Sequence, residues 1–121
     1  MKKIEFEIEV GKYISSATLS VELRKKKVSR TYQITRINES LNMAHILALK
    51  EGLNHITEPV EIEFILNPGY LTISLQSIEK WAKNDFRNNK GQEIKYKDYW
   101  KDISDELRKH KFTIKFKEKE K

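Results

Sequence analysis

The residues best suited to chemistry in this sequence lie between positions 80 and 101. Lys80, Lys83, Arg87, Lys90, Lys95 and Lys97 are interleaved there with Trp81, Phe86, Tyr96, Tyr99 and Trp100, and the stretch holds seven Lys/Arg against three acids. Cations at this density neutralise phosphates, and aromatic rings stack on bases or pack on sugars, so one reading of the pattern is a nucleic-acid surface. A lysine-rich solvated surface has the same composition, so charge alone does not choose between them. Trp81 and Trp100 read as core anchors, since Tyr96 and Ile103 share a helical face with Trp100. Phe86 and Tyr99 are then the aromatic candidates for surface contact.

Other chemistries find little support. The chain has no cysteine, which excludes disulfides, a thiol nucleophile and cysteine-based zinc sites. His45 and His55 are ten positions apart on one helical pattern, not a metal-binding i, i+4 pair, and with His110 they read as surface or capping residues. The four glycines form no phosphate-binding loop. A Ser–His–Asp triad is a spatial arrangement and no spacing here reveals one.

The whole chain carries a formal net charge of +6 over 121 residues, with 38% hydrophobic and 35% charged residues. That is polar for a globular protein, yet the apolar residues are well patterned, and one domain over residues 1–121 is expected. Residues 24–36 add a second basic run, six Lys/Arg and no acid, and residues 108–121 a third, seven against two. The N-terminus alternates charge and apolarity without the apolar core of a signal peptide, and no apolar run approaches the length of a membrane span. A soluble, cytoplasmic protein is the expectation, with no membrane partner.

These residues must be positioned by a scaffold whose period changes along the chain. Ile4, Phe6, Ile8 and Val10 alternate with Glu5, Glu7 and Glu9, which predicts a strand with one buried face. Ala17, Leu19, Val21 and Leu23 predict a second strand after a turn at Gly11–Lys12. Arg24 to Lys27 forms a hairpin turn, and Val28, Tyr32 and Ile34 mark a third strand. Met43, Ile46, Leu49, Leu53 and Ile56 follow at spacings of three and four, an amphipathic helix of about 17 residues. Asn38 is the predicted N-cap, Glu39 a first-turn acid, and Pro59 the stop. Val60 to Leu66 predicts a fourth strand, closed by the turn Asn67–Pro68–Gly69. Tyr70–Gln76 and Ser77–Phe86 read as two successive helices, 88–91 as a polar loop, and 96–109 as an amphipathic helix. A last strand places Phe112, Ile114 and Phe116 inward, and a charged tail spans about 117–121. The order βββ-α-β-α-α-β implies an α/β (α+β) fold with a five-stranded mixed sheet. The long helix should bring the fourth strand parallel to the first by a right-handed crossover.

This order resembles type 1 ribonuclease H, and so do local stretches. Asn42–Met43–Ala44–His45–Ile46–Leu47–Ala48–Leu49 is similar to the family's Ala–Leu-rich helix after strand three. Glu63–Phe64–Ile65–Leu66–Asn67–Pro68–Gly69–Tyr70 resembles its fourth strand and following turn. Ser77–Ile78–Glu79–Lys80–Trp81, the basic loop, and Lys95–Tyr96–Lys97–Asp98–Tyr99–Trp100 resemble its basic protrusion. His110–Lys111–Phe112–Thr113–Ile114–Lys115–Phe116 resembles its last strand. The similarity covers nearly the whole chain, although no single motif is decisive.

The resemblance implies a ribonuclease H-like fold. It also implies an enzyme that cleaves the RNA strand of an RNA–DNA hybrid with two divalent metals held by four carboxylates. The sequence departs from that pattern. The first carboxylate position, directly before a glycine, falls in Glu9–Val10–Gly11, where Glu9 could substitute with a longer reach, but a solvated sheet face shared with Glu5 and Glu7 is the preferred reading. The second falls at Leu41 or Asn42, and the third at Asn67, which offers a neutral amide oxygen. The fourth belongs to a helix beyond the last strand; with the sequence ending at Lys121, that helix and its histidine loop are expected to be missing. Glu9, Asn42 and Asn67 are thus degenerate metal-site positions. No catalytic residue, metal or cofactor is assigned; Mg²⁺ or Mn²⁺ would enter only with residual activity through Glu7 or Glu9 and Glu39. The expected function is a catalytically inactive domain that grips RNA–DNA hybrid or duplex through the basic protrusion. The alternative is a protein-interaction module or homodimer using a less covered sheet face.

Overall fold

The computed structural model describes residues 2–117, so most of the charged tail lies outside the described residues. The elements follow the order β1 (Lys3–Val10), β2 (Ile14–Leu23), β3 (Lys26–Thr35), α1 (Leu41–Asn54), β4 (Glu61–Leu66), α2 (Tyr70–Lys83), α3 (Lys97–Leu107) and β5 (Lys111–Phe116). The sheet order is β3-β2-β1-β4-β5. β1, β2 and β3 form an antiparallel meander, while β4 is parallel to β1 and β5 parallel to β4. This is the mixed sheet, with β4 parallel to β1, that the sequence pattern predicts.

The period-2 alternation sorts the two faces of the sheet. Ile4, Phe6 and Ile8 of β1 and Ile62, Phe64 and Leu66 of β4 are buried under the helices. α1 covers that face with Ala44, Ile46, Ala48, Leu49 and Leu53, all essentially buried. Gly52 is what lets α1 sit so close: a Cβ there would stand 2.8 Å from Phe6 Cε2 and 3.0 Å from Ala17 Cβ. The opposite face is polar. Lys27 pairs with Glu5 at 2.8 Å and Lys3 with Glu63 at 3.1 Å, and Thr18–Thr31 and Ser20–Ser29 hydroxyl pairs bridge β2 and β3. The hydroxyl pairs are directly across the ladder, Lys3–Glu63 is a diagonal pair and Lys27–Glu5 reaches across β2, and together they are the polar counterpart of apolar cross-strand pairs.

Four local expectations are corrected. The N-cap of α1 is Ser40, not Asn38: its hydroxyl accepts the Met43 amide at 3.1 Å, while Asn38 stands in the left-handed region, two residues outside. Glu39 precedes the helix and is not in its first turn; its carboxylate accepts the Ile37 amide and pairs with Arg36 at 3.6 Å. The two helices read over 70–86 are one, α2. Its β-branched start is tolerated because the Thr72 hydroxyl donates to the Asn67 carbonyl at 2.9 Å while Leu71, Leu75 and Ile78 supply a continuous apolar stripe. Phe116 is half exposed rather than inward, because it ends an edge strand with a neighbour on one side only.

Candidate nucleic-acid interface

Two groups of residues carry possible function, one at the carboxyl ends of the parallel strands and one in the loop between α2 and α3. The first group follows from register. Glu7 of β1 is paired with Ile65 of β4, so Glu9 and Asn67 fall opposite one another two residues further along the same parallel pair. Both line a cavity of about 420 Å³, together with His45 of α1 and Lys117 at the end of β5. Glu9 and Asn67 are exposed, in keeping with a solvated position for Glu9. Asn42 is exposed on α1, but the α1 residue that reaches this cavity is His45, one turn after Leu41.

His45 and Lys117 were not legible as site residues. The His45 Nδ1 donates to the Leu41 carbonyl at 2.8 Å, which leaves the lone pair on Nε2. Lys117 is held there by its amide, which donates to the Leu66 carbonyl at 2.9 Å. The cavity therefore gathers one carboxylate, one imidazole, one neutral amide and one ammonium. Hard Mg²⁺ ions take charged oxygen ligands in octahedral geometry, and a two-metal centre takes several of them. This donor set does not fit such a centre. Among the described residues no group of three or more His, Cys, Asp or Glu is placed to hold a metal. Glu39, another candidate acid, is committed to Arg36 and the Ile37 amide.

The second group is a compact protrusion, built from local hydrogen bonds. Arg87 and Glu93 form an isolated antiparallel bridge. Asn88 closes the tip: its Oδ1 accepts the amides of Lys90 (2.9 Å) and Gln92 (3.0 Å), with Gly91 in the left-handed conformation the turn requires. Phe86 anchors the base. Its amide donates to the Trp81 carbonyl at 2.7 Å, its carbonyl accepts the Ile94 amide at 3.0 Å, and its side chain is 5% exposed. Phe86 is thus corrected from a surface contact to a core residue of the protrusion. Underneath, Trp100 is fully buried between Tyr70 and Trp81, and its indole N–H donates to the Tyr70 hydroxyl at 3.2 Å. Both tryptophans are anchors, Trp81 with part of its ring exposed.

Lys80, Lys83, Arg87, Lys90 and Lys95 are exposed, and Lys97 is half-buried. Lys97 pairs with Glu93 at 3.3 Å, and Arg87 donates to the Gly91 carbonyl at 3.0 Å and lies 3.8 Å from Glu93. Among the described residues no acid lies within ion-pair distance of Lys80, Lys83, Lys90 or Lys95. Lys80, Arg87 and Trp81 share a shallow pocket of about 190 Å³ with Asn84, Asn88 and Asn89. That arrangement offers cations, amide donors and a partly open indole to one ligand. Tyr99 does not line it; it is exposed beside Lys50 of α1, whose ammonium lies 5.1 Å from the ring centre. Lys83 faces a different cleft, with Arg108 and Lys111.

Tyr96 ties the two groups together. Its hydroxyl hydrogen-bonds the Ser40 hydroxyl at 3.0 Å, so the end of the protrusion is fastened to the start of α1. That hydrogen bond, with the Lys95 charge as a lesser cause, holds the phenol below its usual pKa.

No protein-family model matches the chain. It is similar to curated ribonucleases H, 27% identical over 93 residues to that of Caldicellulosiruptor saccharolyticus and 26% over 94 residues to that of Clostridium botulinum. These matches cover 75% and 76% of this chain but 61% and 59% of the relatives, so the chain spans about three fifths of the curated proteins it matches. Among solved structures, a type 1 ribonuclease H with the type 2 active-site motif superposes with a TM-score of 0.73 at 10% identity, over 97% of this chain and 63% of that one. The ribonuclease H domain of PFV gives 0.66 at 17% identity, over 94% and 78%. The foamy viral protease-reverse transcriptase in complex with RNA/DNA hybrid gives 0.65 at 20% identity, over 94% of this chain and 17% of that one. With the five-stranded order and the three helices on one face, these likenesses identify the fold of this chain as ribonuclease H-like.

Proposed function

We propose that this chain is a nucleic-acid-binding ribonuclease H-like domain without nuclease chemistry, which grips the backbone of an RNA–DNA hybrid or duplex through the 80–101 protrusion. The observation that carries the reading is the hydrogen-bonded protrusion itself, with Lys80, Trp81 and Arg87 lining one pocket and Lys90 at the tip. Exposed cations on a fixed loop contact phosphates and position a duplex without reading its sequence. The foamy viral relatives in complex with RNA/DNA hybrid and with dsDNA share this fold and support the choice of ligand. Loss of the chemistry rests on Asn67 and on Leu41 or Asn42 at carboxylate positions, and on Lys117 lining the same cavity as Asn67. No Mg²⁺ or Mn²⁺ requirement follows from this reading.

The test is binding and cleavage of a labelled RNA–DNA hybrid, with Mg²⁺ and with Mn²⁺, at low and moderate salt. Binding that weakens steeply with salt, with the hybrid left intact, is the expected result. The Lys83→Glu/Arg87→Glu/Lys90→Glu variant should lose it; unchanged affinity in that variant would sink the reading. Cleavage that disappears in Glu9→Gln would restore the enzyme.

A second reading, a protein partner or homodimer, has one observation in its favour. β3 is a ten-residue edge strand, and Tyr13 and Ile37 stand exposed at its carboxyl end, where the Arg36 amide donates to the Tyr13 carbonyl. Sedimentation that stays monomeric to high concentration removes the homodimer.

A further inference from the structure

A further cleft belongs to neither group above. It opens where the ends of α2 and α3 meet the start of β5 and encloses about 540 Å³. Ile78 and Ala82 of α2, Leu107 of α3 and Phe112 of β5 give it an apolar floor. Lys83, Arg108 and Lys111 stand on its rim against one acid, Glu79. Lys83 and Lys111 have no acid within ion-pair distance among the described residues. Arg108 reaches only Asp105, at 4.0 Å with both side chains mostly exposed, a pair that costs little to break. A lysine-rich surface places cations on convex, solvated ground; here three of them ring an apolar hollow.

His110 in the same wall adds a second observation. Its Nδ1 accepts the Val60 amide at 3.1 Å, so the neutral ring carries its hydrogen on Nε2. That Nε2 is buried and has no hydrogen-bond partner among the described residues, an uncommon state for a buried donor, and it belongs to a residue of the cleft wall.

The geometry points to a binding site in this cleft for a small organic anion: an apolar or aromatic body on the Ile78–Ala82–Leu107–Phe112 floor and a carboxylate, sulfonate or phosphate among Lys83, Arg108 and Lys111. The volume falls within the range of about 300–1,000 Å³ usual for small-molecule pockets. The apolar floor argues against a nucleic-acid backbone as the occupant, since a phosphate backbone offers little apolar surface to cover Ile78, Ala82, Leu107 and Phe112. This site goes beyond the nucleic-acid reading and stands without it; Lys83, a nucleic-acid candidate by sequence, stands on this rim and not in the protrusion pocket.

Anilinonaphthalene sulfonate tests it, with uncharged phenylnaphthylamine as the control for the apolar body alone. One molecule of the sulfonate per chain should bind in a saturable way, with the His110 ring resonances shifting in NMR as it does so. The uncharged control should bind at least about tenfold more weakly, and Arg108→Ala/Lys111→Ala should cost the sulfonate a similar factor. Ala82→Phe, which fills the cleft and leaves the rim charges in place, should remove binding while circular dichroism and hybrid binding stay as in the parent. Equal affinity for the uncharged control overturns the proposal, as does unchanged affinity in either variant. Displacement of the sulfonate by RNA–DNA hybrid also overturns it, by assigning the cleft to the nucleic-acid surface.

Discussion

Glu9 and Asn67 stand opposite one another at the ends of two parallel strands, on the wall of one cavity, and only one of them can carry a charge. This pair sets the chemistry of the site. A metal held there would have a single carboxylate and a lysine ammonium beside it. The double variant Leu41→Glu/Asn67→Asp should therefore gain affinity for Mn²⁺, measured by calorimetry, over a parent that is expected to bind it weakly or not at all. Leu41 is exposed at the first residue of α1, so an acid there is favoured by the helix dipole and should not unfold the protein. Strong Mn²⁺ binding by the parent would contradict the account.

The protrusion should act through its cations one by one. Each phosphate contact removed lowers the slope of log affinity against log salt by about 0.7–0.9. Lys80→Ala and Lys90→Ala should each show such a decrease, and Lys97→Ala, already paired with Glu93, a smaller one. Titration of a labelled hybrid at several salt concentrations measures it.

Asn88 closes the tip through the hydrogen bonds its side chain accepts from the Lys90 and Gln92 amides. Asn88→Ala should leave urea stability nearly unchanged, speed amide exchange at Lys90 and Gln92, and weaken hybrid binding severalfold. Unaltered exchange would mean that the turn does not depend on this side chain.

His110 should make stability depend on pH. Burial, with the Lys109 charge adding to it and Glu106 opposing it, holds its folded pKa below the ordinary 6.5. The unfolded chain then takes up the proton first. The contribution is complete above about pH 6.5 and is lost as the pH falls from there through the folded pKa. His110→Asn, which keeps an acceptor for the Val60 amide, should flatten that slope. His110→Ala, which orphans the buried amide, should cost about 1–3 kcal/mol at neutral pH. Urea unfolding from pH 5 to 8 separates the two.

Gly52→Ala should destabilise the protein even though alanine is the better helix former by about 1 kcal/mol. The added methyl meets the rings and methyls of Phe6 and Ala17 in a filled core, where overpacking costs about 1–3 kcal/mol. By contrast, Lys25→Gly should stabilise by about 1 kcal/mol. Arg24 and Lys25 hold the β2–β3 turn with positive φ at both positions, 50° and 70°, a conformation costly for side chains and free for glycine. Denaturation midpoints of the two variants should move in opposite directions.

The sequence by itself determined the elements, their order and which face of each strand is buried, because alternation and helical spacing are local patterns written directly in Ile4–Phe6–Ile8 or Leu49–Leu53–Ile56. It also showed that position 67 is an asparagine and that a basic loop follows. Errors arose where two local signals competed: Asn38 and Ser40 as caps, or the β-branched start of α2, which a hydrogen bond from Thr72 rescues. Which side chains meet was decided only by tertiary structure. Register brings positions 9, 45, 67 and 117 around one cavity, and an unforeseen bridge turns Phe86 inward beneath its loop. The cleft ringed by Lys83, Arg108 and Lys111 was likewise unreadable. Periodicity records how a residue faces its own element; it holds no record of the distant elements that will pack against it.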